Sequence, residues 1–211
     1  MHVPLALLTE RVCFVDPAAG KSALKTQSAR AAVVTIGRDP DGYIFCLEAW
    51  AARCSTETFV ARIFAIAERW TPRVIGVEAN AMQVLFGDML AREARAQGRR
   101  LPLVPVYQPP QLKKDFRIRT TLQPLLAAGR IILGPDQEAL RDELLGFPQL
   151  PTKDLVDAFA SAIALLPARA PKAQRADEAA ALASYLRETG APAGYIAARV
   201  AALTENHDRF S

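Results

Sequence analysis

Four acidic residues stand at positions where they could bind divalent metal ions. Asp16 and Glu78 each end a short apolar run that is typical of a buried strand, and Asp154 and Asp157 lie where an apolar helix begins. Residues three apart on a helix share a face, so Asp154 and Asp157 are expected to project the same way. Carboxylate oxygens are the ligands that Mg²⁺ and Mn²⁺ prefer, and the set therefore predicts a metal site at the edge of a sheet.

A site of this kind has a specific chemistry. Two divalent ions roughly 3.5–4 Å apart can activate a water molecule and stabilise the leaving oxygen of a phosphodiester. We expect Asp16 to bridge the ions, and Asp154, which begins its helix, to face the sheet edge more directly than Asp157. Each acid alone is also compatible with a turn or a helix cap. The hypothesis of a metal-dependent nuclease depends on finding all four in this order. Neutralising any of them is expected to leave the fold intact, because clustered like charges repel.

The positions of the basic residues indicate a nucleic-acid partner more clearly than their number does. The 26 Lys and Arg against 22 Asp and Glu give a net charge of +4, which is compatible with DNA but does not require it. Four cations within two helical turns predict a helix that contacts the DNA backbone, with a solvated helix face as the alternative: Lys113, Lys114, Arg117 and Arg119. Two further candidates, Lys21 and Lys25, lie in the loop after Asp16. The neighbouring Gly20-Lys21-Ser22 is not a phosphate-binding loop, since Val15 stands where that motif needs glycine.

Cysteine usage and hydropathy exclude several other classes of protein. The three cysteines, Cys13, Cys46 and Cys54, lack metal-ligand spacing and predict free thiols in a reducing cytoplasm. No run approaches the roughly 18 apolar residues that would span a bilayer. The first eight residues lack a basic leader or a cleavage signature. We therefore expect an intracellular protein that does not associate with a membrane.

The elements that must position the acids are predicted by hydrophobic periodicity and by turn signals. Apolar runs predict an antiparallel meander of strands at 11–16, 31–37 and 43–49. Helix and strand then alternate, which favours parallel crossovers: a helix at 57–70 capped by Ser55 or Thr56, a strand at 73–78, a helix at 82–97 and a strand at 103–106. Helices at 113–128 and 136–145 and a short segment at 131–133 precede the helix that begins at 153–154. The prediction is an α/β, RNase H-like fold with a mixed central sheet of about five strands, three antiparallel and then parallel, flanked by helices.

Two parts of the chain are expected to be structurally separate. Residues 1–167 are predicted to form the nuclease domain. Residues 168–211 are predicted to form an Ala-rich linker and a helical tail of two short helices, broken at Gly190-Ala191-Pro192. The tail contributes none of the candidate site residues.

Several segments resemble the C-terminal nuclease domain of the large terminase subunit of tailed phages, which are DNA-packaging motor proteins. The resemblance spans about 11–167, and its most specific part runs from Lys114 to Ala160. The matching segments are Phe14-Val15-Asp16-Pro17-Ala18, Gly42-Tyr43-Ile44-Phe45 with Trp50, Val77-Glu78-Ala79-Asn80, Lys114-Asp115-Phe116-Arg117-Ile118, Leu122-Gln123-Pro124, Gly129-Arg130-Ile131, Phe147-Pro148 and Asp154-Leu155-Val156-Asp157-Ala158-Phe159-Ala160.

The resemblance implies a function, a cofactor and a set of partners. It implies an RNase H-like nuclease that uses two Mg²⁺ or Mn²⁺ ions to cut double-stranded DNA with low sequence specificity during viral genome packaging. The implied partners are a terminase ATPase domain or subunit, the small terminase subunit and the portal. The implied setting is the cytoplasm of a bacterial host, with the protein encoded by a phage or prophage.

Two departures from the family pattern leave alternatives open. The family often places two adjacent acids before the last helix, and here the first of these positions is Lys153. Asp157 is expected to compensate, as a similar Asp pair serves Holliday-junction resolvases of the same fold. The family also carries an N-terminal ATPase, for which 211 residues leave no room. A junction resolvase of the same superfamily and a catalytically inactive, prophage-derived DNA-binding or packaging subunit are the alternative functions.

Overall fold

A computed structural model describes residues 5–17, 30–79, 83–108, 113–167, 180, 182–188 and 192–204. Lys21 and Lys25, which the sequence predicts to contact DNA, lie outside these residues. The strands are β1 (Glu10–Asp16), β2 (Ala31–Arg38), β3 (Ile44–Ala52), β4 (Val74–Glu78), β5 (Leu103–Val106) and β6 (Ile131–Leu133). The helices are α1 (Thr56–Trp70), α2 (Gln83–Ala96), α3 (Lys114–Ala127), α4 (Glu138–Gly146), α5 (Asp154–Ala164) and α6 (Ala193–Thr204), with a single 3-10 turn at Leu5–Leu7.

The six strands form one mixed sheet in the order β5-β4-β1-β2-β3-β6. β1, β2 and β3 are an antiparallel meander, while β4 joins β1 and β5 joins β4 in parallel, as predicted. The sheet has one strand more than the predicted five, because the short segment Ile131–Leu133 pairs in parallel with the start of β3. The predicted class, an α/β fold with a mixed sheet flanked by helices, is confirmed.

The central strand β1 is buried on both faces and separates two hydrophobic cores. Val12 and Phe14 belong to the core beneath α3, α4 and α5, and Cys13 and Val15 belong to the core beneath α1 and α2. Successive side chains of a strand point to opposite faces, so a continuous apolar run is what such a central strand requires. Packing on both faces therefore fixes the position of β1 in the sheet. It also fixes the position of Asp16, the residue that ends the strand.

Helices α1 and α5 cover opposite faces of the sheet. The hydroxyl of Ser55 accepts a hydrogen bond from the N–H of Thr58 at 3.2 Å, which confirms the predicted cap of α1. One face of α1 is buried, including Ile63 and Ile66, and its Phe59 stacks on Trp50 with ring centroids 6.0 Å apart. α5 packs across β2 and β1 and buries the unbroken run 155–162. That burial makes α5 a core helix, fixed firmly against the strands that end in the predicted site.

The remaining structural predictions concern the cysteines, the membrane and the tail. All three cysteines are free, with Cys13 and Cys46 buried and Cys54 exposed. None of the helices in the described part of the chain is long and apolar enough to cross a membrane. Residues 182–188 are helical and α6 follows, as expected for the two short tail helices. The division into a domain and an appendage stays a prediction.

Candidate active site

Strands β1 and β4 bring Asp16 and Glu78 to the same edge of the sheet. The strands are parallel and Val15 lies opposite Val77, so the next residue on each strand is one of the two acids. Burial, the negative charge of Glu78 and a hydrogen bond between the two side chains raise the pKa of Asp16 well above its usual range. The fold thus places two carboxylates so close together that a proton or a cation is needed to stabilise them.

Helix α5 adds Asp157 to this pair. The Asp157 side chain is only 8% exposed, and its charge also raises the pKa of Asp16 after the effects of burial and Glu78. Asp154, one turn earlier, instead accepts a hydrogen bond at Oδ2 from Nε of Arg30, at 3.0 Å. Asp157 therefore acts on the strand-end pair while Asp154 is held by Arg30, and which of the two faces the sheet edge more directly stays a prediction.

Two of the four DNA-binding cations predicted on α3 face the acids. Lys114 Nζ lies 2.9 Å from Asp157 Oδ2, and Arg117 Nη2 lies 2.6 Å from Asp157 Oδ1. Burial acts to lower the pKa of Lys114, but the charges of Asp157, Asp16 and Asp154 outweigh it and raise that pKa. The other two predicted cations, Lys113 and Arg119, are exposed. α3 therefore presents one pair of cations to the acids and another to solvent.

Arg117 is held by a second contact on α5. Its Nη1 donates to Ser161 Oγ at 2.9 Å, and the side-chain amide of Gln108 donates to the same hydroxyl at 3.2 Å. Ser161 lies one turn beyond Asp157 and is buried. The guanidinium is therefore anchored along α5, and its pairing with Asp157 is a fixed part of the fold.

The sequence interpretation missed Glu143 and Arg30. Glu143, on α4, is buried, and its Oε2 accepts hydrogen bonds from the N–H groups of Leu155 at 2.9 Å and Val156 at 3.0 Å. Its Oε1 accepts a hydrogen bond from Arg30, which also holds Asp154. The one available signal was an acid at a core-facing position of an amphipathic helix, three residues after the buried Leu140.

Lys153, the departure from the family pattern, points away from the acids. Its Nζ lies 2.9 Å from both carboxylate oxygens of Asp115, in the first turn of α3, and 5.6 Å from the centroid of the Phe147 ring. The ion pair ties the start of α5 to the start of α3. Lys153 therefore does not neutralise Asp16, Glu78 or Asp157.

The carboxylate oxygens of the candidate acids suit a hard divalent cation, although Asp154 and Asp157 contact the protein's own cations in this structure. Within the described ranges, no group of three or more Asp, Glu, His or Cys side chains is arranged to hold a metal ion. Both oxygens of Asp157 contact Lys114 and Arg117, and one oxygen of Asp154 contacts Arg30. The donors are all oxygens, and Asp16 and Glu78 lie close enough together for the charge of Glu78 to raise the pKa of Asp16, after the larger effect of burial. Both properties fit Mg²⁺ or Mn²⁺.

Comparison with known proteins identifies the fold. No protein-family model matches the sequence, and no curated relative matches it. The nuclease domain of the P22 large terminase superposes with a TM-score of 0.53 at 12% identity, over 76% of this chain and 81% of that one. The nuclease domain of the large terminase subunit gp2 of the bacterial virus Sf6, in a structure with manganese, gives 0.50 at 11% identity, over 77% and 90%. The yeast mitochondrial Holliday junction resolvase Ydc2 gives 0.46 at 15% identity, over 76% and 80%. The chain therefore has the RNase H-like fold seen in these terminase nuclease domains.

Proposed function

We propose that this protein is a metal-dependent endonuclease that cuts double-stranded DNA with little sequence preference, as the nuclease component of a viral packaging terminase. The observation that carries the proposal is that Asp16 and Glu78 end adjacent parallel strands and share a hydrogen bond, while Asp157 of α5 is near enough for its charge to act on Asp16. A fold alone does not assign a function, so the proposal is argued from this group of acids.

The acids would hold two Mg²⁺ or Mn²⁺ ions. Asp16 would lose the proton that burial and the nearby Glu78 favour, and Glu78, Asp157 and Asp154 would contribute further oxygens. Bound there, such ions supply an activated water molecule and stabilise the leaving oxygen of the phosphodiester. Arg117, anchored on Ser161, keeps Asp157 in place, while Lys114 is close enough to the acids to neutralise an adjacent phosphate.

The DNA would follow α3, because this helix carries cations beside the acids. The exposed Lys113 and Arg119 would contact backbone phosphates, with Lys21 and Lys25 as further candidates from the loop after β1. Contacts of this kind position DNA without reading its bases, which is consistent with cutting at many sequences. The proposed partners are a terminase ATPase domain or subunit, the small terminase subunit and the portal, in the cytoplasm of a phage-infected or lysogenic bacterium.

Cleavage of supercoiled plasmid tests the proposal. Purified protein with Mn²⁺ or Mg²⁺ should produce nicked and then linear DNA, and a chelator should prevent it. Asp16→Asn should lose cleavage by several orders of magnitude and keep DNA binding. Asp142→Asn, an exposed acid on α4, is the matched control and should cut like the parent. Intact plasmid at high protein concentration with either metal ion would contradict the proposal.

The departure at Lys153 keeps two alternatives in view. The i, i+3 pair of Asp154 and Asp157, without an acid at 153, is similar to the arrangement in junction resolvases. Faster cutting of four-way junctions than of linear duplex would favour a resolvase. An inactive DNA-binding subunit should bind no Mn²⁺ at these acids, which a calorimetric titration measures directly. The pairing of Lys153 with Asp115 speaks against inactivation, since it removes the lysine charge from the acids.

A further inference from the structure

Glu143 is a buried carboxylate that receives hydrogen bonds from two directions. It is 4% exposed, and its Oε2 accepts from the N–H groups of Leu155 and Val156 while its Oε1 accepts from Arg30. Burying an ionised group is expensive unless it is paired and hydrogen-bonded. Two of these hydrogen bonds come from the backbone of α5, and the third comes from Arg30, which also contacts α5. The Glu143 carboxylate therefore holds this helix in place.

The first set of contacts fixes the start of α5. Lys153, at the N-cap position, makes no capping hydrogen bond with its side chain. The first N–H groups of a helix have no partner inside the helix, and the helix dipole makes this end favourable for negative charge. Glu143 satisfies two of these N–H groups from a neighbouring helix. The turn that it fixes is the turn that carries Asp154 and Asp157.

The second contact reaches Asp154 through Arg30. Arg30 immediately precedes β2, the strand that pairs with β1, and its guanidinium contacts Glu143 and Asp154 at the same time. Nε lies 3.0 Å from Asp154 Oδ2, so the contact engages one oxygen of that carboxylate. An arginine with a single carboxylate partner favours a bidentate pair that uses both oxygens. Because Glu143 shares the guanidinium with Asp154, Arg30 orients Asp154 through only one of its two carboxylate oxygens.

We propose that Glu143 and Arg30 are positioning residues of the metal site: Glu143 fixes the first turn of α5, which carries Asp154 and Asp157, and restrains Arg30, which orients Asp154. This inference rests on the proposed metal-dependent function. It assigns neither residue a contact with metal or DNA. Outer residues that orient ligands typically change metal affinity by about 10- to 100-fold when they are replaced, and this is the effect expected here.

Glu143→Gln separates the two roles of the carboxylate. The amide oxygen can still accept from both N–H groups of α5, while the amide nitrogen, which cannot accept, faces Arg30. The variant should therefore still unfold cooperatively in chelator, at a lower temperature than the parent because Arg30 loses a charged partner, and should bind Mn²⁺ about 10- to 100-fold more weakly by calorimetry. Glu138→Gln, an exposed acid in the first turn of α4, is the matched control and should bind like the parent.

A double-mutant cycle shows whether Glu143 acts through Asp154. Asp154→Asn should weaken Mn²⁺ binding, and adding Glu143→Gln should weaken it little further, because both changes remove the same oriented ligand. Additive losses would overturn the inference. Arg30→Gln leaves both N–H contacts of Glu143 in place and should show the same loss and the same non-additivity, so the test does not depend on one variant folding.

The outcomes separate this inference from the proposed function. If the parent binds Mn²⁺ and both Glu143→Gln and Arg30→Gln bind it equally well or more tightly, the inference fails and the nuclease proposal stands. If the parent binds no Mn²⁺, both fail.

Discussion

Asp16 is the residue whose environment departs most from that of an ordinary surface carboxylate. Burial, then the charge of Glu78 and their shared hydrogen bond, raise its pKa in the folded protein. Folding therefore favours the protonated form. The stability that this proton contributes is fully present below the unfolded-state pKa, about 3.9, and is lost as pH rises through the raised folded-state pKa.

This sign predicts the behaviour of Asp16→Asn. Asparagine cannot ionise, so the variant escapes the loss of stability that the parent suffers as pH rises. In the presence of chelator, Asp16→Asn should melt at a higher temperature than the parent at pH 8, and the difference should shrink toward pH 4. Thermal melts at a series of pH values measure both. Parallel curves for the two proteins would show that Asp16 carries no raised pKa, and the account of the strand-end pair would be wrong.

Asp157 should respond in the opposite way. Its buried carboxylate is the shared partner of Lys114 and Arg117, and its removal leaves the largely buried Arg117 without its acid. Removing one member of a buried ion pair is destabilising, and we expect Asp157→Asn to cost roughly 2 kcal/mol, discounted for the half-exposed Lys114. The sequence-based expectation that every neutralisation is tolerated is therefore revised at this residue.

Urea denaturation measures the change in the free energy of unfolding of Asp157→Asn. Asp142→Asn, an exposed acid on α4, is the control and should stay within about 0.5 kcal/mol of the parent. If Asp157→Asn matches this control, the contacts of Asp157 with α3 contribute nothing to stability.

The candidate acids were predictable because each ends or begins a periodic segment. Their partners were not, because these come from distant parts of the chain. Arg30 lies 124 residues from Asp154 and 113 residues from Glu143. Spacing patterns carry no information about such pairs. Only the packing of α5 against β2, and of α4 against α5, brings the three residues together.

Helix α3 shows the same limit for a whole element. Lys114 and Arg117 are three residues apart and share a face, which packs against α5, while Lys113 and Arg119 remain exposed. The sequence indicates a basic helix. It does not indicate which cations are covered, because the buried Ile118 and Leu122 share one face while Phe116 and Leu126 are exposed, so the apolar residues do not mark a single face. The predicted DNA contacts therefore divide into two pairs with different expected effects.

Replacing the exposed pair should change DNA binding alone. Lys113→Ala with Arg119→Ala should weaken DNA affinity and reduce its dependence on log salt concentration by about 0.9 per lost phosphate contact. Mn²⁺ affinity should stay the same, because neither residue contacts the acids. The matched control, Arg92→Ala with Arg95→Ala on the exposed face of α2, removes the same charge elsewhere and should leave the salt slope unchanged. A slope altered equally by both double variants would move the DNA path away from α3.

The architecture of the whole molecule followed from the sequence in most respects. Strand and helix bounds agree with the predicted ones to within about three residues, because apolar runs, turn signals and the Ser55 cap all indicate the same elements. β6 is the exception. A run of three residues carries no usable periodicity, and Ile131–Leu133 becomes a strand only because the start of β3 offers an open edge.

The predicted division at residue 167 leads to a test at the same scale. Among the residues that the structure describes, both hydrophobic cores and the side chains packed against them lie between Val12 and Leu166. A chain ending at Pro167 should therefore still unfold cooperatively and bind Mn²⁺ with the parent's affinity. We expect a melting temperature only a few degrees lower, since Ala183 is a buried residue of the tail.

A chain ending at Thr152 is the contrasting variant. It lacks α5, with its run of buried residues and two of the four acids, and should neither fold nor bind the metal ion. Thermal melts and calorimetry of the two truncations decide the question. Loss of cooperative unfolding in the longer one would make 168–211 an integral part of the nuclease domain.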